Sequence, residues 1–162
     1  MEEGRDEGEG EHMWKRLLHT SGNATDLILR LALAAVFFPH GAQKALGWFG
    51  GYGLTATLAF FTGKMGIPAV LAMLAIAAEF LGSLGLFAGL LARVAAFGIF
   101  CDMAVAMAMV HSKVGFFMNW AGQMPAGKEG FEYHILAMAL AFAVMVRGAG
   151  PVSLDRVLSR KR

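Results

Sequence analysis

Only one of the 162 residues is a cysteine, Cys101, only four are prolines, and charged residues make up 16% of the chain. A single thiol excludes an internal disulfide, a Cys-x-x-Cys relay, an iron–sulfur centre held by this chain alone and a cysteine-based zinc site. Scarce charge set against 57% hydrophobic residues excludes the usual balance of a soluble domain and indicates an integral membrane protein. The net charge is +2, and no ladder of basic and aromatic residues runs along the chain, so nucleic acid is not expected as a partner. Walker, Rossmann and nucleophile-elbow patterns are lacking, as is a Ser/His/Asp arrangement.

Long apolar runs are what the sequence has instead. A bilayer-spanning helix needs about 20 apolar residues, and four segments read as spans: Asp26–Leu46, Ile67–Leu91, Val94–His111 and Phe131–Arg147. The predicted fold is all-α, a four-helix transmembrane bundle with two aromatic outer loops. The first loop, from Gly47 to Gly66, carries Trp48, Phe49, Tyr52, Phe60 and Phe61, and its Leu54–Phe61 piece is too short to cross. The second, from Ser112 to Gly130, carries Phe116, Phe117 and Trp120. Aromatic residues at these positions suit the headgroup level. Pro39 is expected to kink the first span, and Asn23 or Thr25 to cap it, with Asp26 in its first turn.

Residues 1–23 form a charged N-terminal segment, of which 1–12 (MEEGRDEGEGEH) should be disordered. Residues 24–150 form the membrane domain, and 151–162 a basic tail. The first dozen residues are acidic where a secretory signal would be basic, so insertion is expected to rely on the first span. Ten Lys and Arg residues fall on the side of the termini and the Arg93 turn, and four (Lys44, Lys64, Lys113 and Lys128) on the other. That bias puts both termini in the cytoplasm of a cell whose inner membrane holds the chain.

The spans are not purely apolar. Arg30, His40 and Lys44 fall within one sector of roughly 80° on the first helix. Glu79 lies near the middle of the second span and Asp102 near the middle of the third, with His111 at its far end. Glu132, Tyr133 and His134 open the fourth. A charge at mid-span costs about 2.5–3.5 kcal/mol, so such groups turn to a bundle interior or a wet cavity. Pairing of Lys44 with Glu132 or Glu79, and of His40 with Glu79, would relieve that cost. Converging titratable groups mark a functional site more often than packing alone requires. Arg30 sits near an inner helix end and reads first as a snorkelling residue, ahead of a role in the site. A bis-His haem on His40 and His134, or a metal on His111, Glu132 and His134, is disfavoured. No paired histidine ladder is present, and Glu132 and His134, two residues apart, diverge by roughly 160° on a helix.

The runs RLALAAVFFPHGAQKALGWFGGYG, AEFLGSLGLFAGLLAR, GFEYHILAMALA and GPVSLDR, taken in this order, resemble the DoxX family of small prokaryotic membrane proteins. The similarity extends from about Asp26 to Leu158. It implies a four-helix membrane protein and, for some members, a link to quinone-dependent oxidoreduction. Its polar motif residues correspond here to Arg30, His40, Lys44, Glu79, Glu132 and Tyr133. Read with that resemblance, His40, Lys44 and Glu79 are the expected catalytic groups, with Arg30, Asp102, His111, Glu132, Tyr133 and His134 contacting a small hydrophobic ligand. Quinone is the expected cofactor, and a separate redox protein the expected electron source. Two alternatives stay open: a non-catalytic scaffold that recruits a redox enzyme, and a carrier of protons or a small solute.

Overall fold

A computed structural model describes Trp14, residues 17–125 and residues 127–160; the expectation of disorder at residues 1–12 lies outside them. The described chain is helical. Asn23, in extended conformation, caps α1 (Ala24–Leu46) by accepting the Thr25 N–H at 2.9 Å, and Gly47 ends the helix in the left-handed region at φ 74°. α1 continues through Pro39 as a single helix. A 3-10 turn (Trp48–Gly50) leads into α2 (Gly53–Ala59), which ends in a π-turn (Phe60–Lys64); this short surface helix occupies the segment read as too short to cross. α3 (Ala69–Ala88) starts directly after Pro68, and α4 (Ala92–Met109) follows a three-residue turn. α5 (Glu132–Arg147) and a short α6 (Leu154–Arg160) complete the described chain.

α1, α3, α4 and α5 form a four-helix bundle in which α1 packs on α3, α3 on α4, α4 on α5, and α5 closes on α1. Its core holds Leu33, Ala34 and Phe37 of α1, Leu86 of α3, Ile99 of α4 and Val144 of α5, among others. Leu71, Leu74, Leu81, Phe97 and Leu136 point outward, an arrangement costly in water and natural in lipid. Among the described residues three helices are long and apolar enough to cross a membrane: α1, α3, and α4 with its continuation to Lys113. α5, at 16 residues, is about 24 Å long against a hydrocarbon core near 30 Å. It is the short member of the bundle.

One end of the bundle is laced by arginines. The last carbonyls of a helix lack partners within it, and Arg30, 1% exposed, supplies donors to Leu86 and Phe87 at the end of α3 (2.7 and 3.2 Å) and to the Val152 carbonyl (3.1 Å). Asp155 of α6 does the reverse for α4, accepting the Leu91 and Ala92 N–H groups at 2.7 and 3.0 Å. Leu91 there holds φ 49°, a left-handed conformation that costs a non-glycine residue about 1 kcal/mol and that the Asp155 bonds offset. Gly89 in the same turn leaves no room for a Cβ, which would fall 2.3 Å from an Arg30 nitrogen. Arg93 bonds the Met145 and Val146 carbonyls at the end of α5, and Arg147 pairs with the buried Asp26. Residues 152–160, read from sequence as a tail, are therefore a folded piece of this end, with Ser153 and Asp155 buried. Burial pushes the Asp155 carboxyl above the usual carboxylate range, while the Ala92 and Leu91 N–H groups and the Arg30 and Arg93 charges pull it back.

Candidate functional site

The site begins with a glycine. A Cβ on Gly41 would lie 2.5 Å from the Phe80 backbone and 2.6 Å from the Glu79 carbonyl carbon, so only glycine lets α1 and α3 meet there. One turn further along α1, Lys44 Nζ then reaches Glu79 Oε2 at 2.5 Å. The Glu79 side chain is 4% exposed and that of Lys44 28%, so the pair runs from the bundle interior toward the surface. His40, one turn before Lys44, lies at the surface within the fields of both Lys44 and Glu79, its ring 6.4 Å from that of Phe37.

α4 brings a second carboxyl to the same place. Glu79 and Asp102 lie about equally far from the α3–α4 turn, roughly 15 Å along each helix, and the Asp102 carboxyl is within hydrogen-bonding reach of Glu79. Two carboxyls so placed share the field of one ammonium, that of Lys44. From α5, Tyr133 completes the group. Its hydroxyl is buried within the field of Glu79 and has no hydrogen-bond partner among the described residues. The arrangement offers two neighbouring carboxyls, an ammonium, an imidazole at the surface and an unengaged phenol, all within one bundle. Such a set can hydrogen-bond an oxygen-bearing guest and relay protons.

His111 and His134 form a neighbouring pair with ring centroids 4.1 Å apart. His111 Nδ1 is 2.7 Å from the Glu129 carbonyl, and His134, 5% exposed, has an unpartnered Nδ1. The T-shaped contact of Tyr133 and His134, 5.6 Å between centroids, joins this pair to the Glu79 group.

Two residues expected at the site are engaged elsewhere. Arg30 is about ten residues down α1 from His40, and its donors go to Leu86, Phe87 and Val152. Glu132 turns to the second aromatic loop, where Oε1 accepts the Met118 N–H at 2.9 Å and the Trp120 indole N–H at 2.7 Å; it does not pair with Lys44. With Glu132 committed to the loop, the set His111, Glu132 and His134 is not gathered for a metal. No group of three or more His, Cys, Asp or Glu close enough to hold a metal occurs among the described residues. The residue that sequence reasoning passed over is Gly41. Its signal was its place between His40 and Lys44, where a glycine inside an apolar helix calls for a packing reason.

A family model described as DoxX matches residues 25–112, more than half of the chain. The chain belongs to the DoxX family. The matched stretch runs from the start of α1 to just beyond α4, so the DoxX region contains Arg30, His40, Lys44, Glu79, Asp102 and His111. Glu132, Tyr133 and His134 lie beyond it, contributed by α5. No curated protein and no solved structure matches the chain.

Proposed function

We propose that this DoxX protein is the quinone-handling component of a membrane oxidoreductase, with the Glu79-centred group binding the oxygen-bearing head of a lipid-soluble quinone. The observation that carries this reading is the meeting of Lys44, from the last turn of α1, with Glu79 and Asp102 at the middle of α3 and α4, beside the unengaged Tyr133 hydroxyl. A quinone head needs hydrogen-bond donors for its oxygens and a route for protons, rather than a nucleophile, and these side chains supply both. The residues present therefore fit the group. When bound, a quinone supplies two-electron redox capacity that no side chain here has. The chain's own part is to orient the head, keep it from bulk water and hold a proton between Glu79 and Asp102. His40, at the surface next to Lys44, is placed to exchange that proton with solvent. Electrons would come from a partner protein or a small reductant.

The test is quinone retention by the protein in nanodiscs, followed with quinone-dependent turnover when a reductant is supplied. Wild type is expected to bind a lipid-soluble quinone; His40→Ala and Glu79→Gln are expected to lose turnover, assayed below the unfolding temperature of each variant. Absence of quinone binding by the wild type would reject the proposal. The arginine-laced end is proposed to face the cytoplasm of an inner membrane, which reporter fusions at Arg160 and within residues 121–125 would check.

A second reading rests on a separate observation. Tyr52, Phe117 and Trp120 are 87%, 74% and 80% exposed at the aromatic-loop end, a surface on which a redox partner could dock. A scaffold of this kind would tolerate neutral substitutions at Lys44, Glu79 and Asp102 and fail on Trp120→Ala.

A further inference from the structure

A slot of about 830 Å³ runs along the bilayer-facing side of the α3–α4 pair, from Phe61 and Pro68 at one end to Leu90 and Leu91 at the other. Its walls are hydrocarbon (Leu74, Leu81, Phe97 and Val105 among them) except at one place. Asp102 is the one charged residue that lines it. Asp102 therefore faces two ways, toward Glu79 within the bundle and toward the slot outside it.

We propose that this slot seats the apolar chain of a neutral amphiphile and that Asp102 is the group that meets its oxygen-bearing head. The inference rests on the quinone reading and deepens it, because it places entry from the lipid side between α3 and α4 and makes Asp102 the contact residue, with Glu79 and Lys44 behind it. Three observations select this occupant. The volume falls within the range of small-molecule sites, about 300–1,000 Å³. The polar contact lies about 15 Å along α4 from its start. That is mid-bilayer, where a phospholipid headgroup does not sit and a small neutral head with a hydroxyl or carbonyl can. An anionic head would find no cation among the residues that line the slot.

A second copy of the chain is the rival occupant, since Gly82, Gly85 and Gly98 form a small-residue stripe of the kind that lets membrane helices pair. The stripe is already used within the hairpin. A Cβ on Gly85 would meet the Leu90 carbonyl oxygen at 3.0 Å, and one on Gly98 the Ala78 Cβ at 3.1 Å. The glycines bring α3 and α4 together, and the large side chains flanking them make the slot.

Cys101 gives a native reporter, as the chain's single cysteine, exposed and lining the slot beside Asp102. The protein in nanodiscs is alkylated with N-ethylmaleimide with and without a fully ring-substituted alkylquinone, which cannot itself add a thiol. At a quinone concentration ten times its Kd, labelling of Cys101 is expected to slow roughly tenfold. Asp102→Asn should abolish the protection, and Ala77→Phe, which fills the slot without touching the Lys44–Glu79 pair, should weaken it. Quinone bound with undiminished Cys101 labelling, and bound equally by Asp102→Asn, overturns the slot while leaving the quinone reading standing. No quinone binding at all overturns both. Near-quantitative Cys101–Cys101 cross-linking between copies under mild oxidant would show the slot to be a subunit interface and overturn the proposal.

Discussion

Gly41 of α1 and Phe80 of α3 touch backbone to backbone, and this contact sets the reach of Lys44 to Glu79 one turn away. Replacing a helical glycine by alanine ordinarily gains about 1 kcal/mol. Here the new methyl would meet main-chain atoms that cannot rotate aside, and overpacking of that kind costs about 1–3 kcal/mol. The clash wins. Gly41→Ala is expected to lower the thermal unfolding temperature in detergent. It should also shrink the further cost of Lys44→Met, because the two helices will already stand apart. An unchanged unfolding temperature would mean that the α1–α3 contact is looser than the geometry indicates.

The Lys44–Glu79 pair should show the asymmetry of a buried ion pair. Removing one partner strands the other's charge, at about 3–5 kcal/mol, whereas removing both is far milder. Lys44→Met and Glu79→Gln are each expected to destabilise the bundle clearly, and the double variant to recover much of the loss. Chemical or thermal unfolding of the four proteins gives the coupling directly, and additive losses would show that the two groups do not interact.

Asp155 predicts a dependence on pH with a definite sign. Burial raises its carboxyl pKa above that of the unfolded chain, so the folded state binds the proton more tightly. Its contribution is then fully present below the unfolded pKa and is lost as pH rises through the folded value. In unfolding temperatures measured across the acid range, the wild type should carry this falling component and Asp155→Asn should lack it. The same variant should be less stable than wild type at every pH, because an amide has one oxygen to serve the two N–H groups of Leu91 and Ala92. A variant matching the wild-type profile would deny the capping role.

Glu132 holds the second aromatic loop through two hydrogen bonds on one oxygen. Glu132→Ala should release Trp120 and loosen the loop, seen as altered tryptophan fluorescence and faster tryptic cleavage after Lys128. The stability of the bundle should change little, by about 1 kcal/mol or less, since both bonds go to the loop. Unaltered cleavage would place the loop's order elsewhere.

Much of the bundle was legible because hydrophobic run length is a strong signal. Glu79 and Asp102 could each be placed near mid-span, at nearly equal distances from a turn marked by Gly89 and Arg93, but the pairings read from sequence did not include one between them. What sequence could not show was where long side chains spend their donors. Arg30 shares a helix sector with His40 and Lys44, but its partners are carbonyls that α3 leaves unpaired at its end, and these carry no residue signature. Glu132 looked like a partner for Lys44 because both are charged and expected at the same depth. The intervening loop claimed it with a backbone amide and an indole, groups whose positions depend on how residues 115–131 fold back. Residues 152–160 read as a tail because Val152, Leu154, Val157 and Leu158 are too few to announce a docked helix; the decisive contact is one carboxyl on two amides.

That contact has a consequence for biosynthesis. Asp155 and the Val152 carbonyl leave the ribosome after every long helix of the bundle has been made. Until then the arginine in the first helix and the amides that begin α4 lack their last partners. The assembly is thus stitched shut last, and a finished chain truncated at Gly148 would hold all four rods in the bilayer with the knot between them still untied.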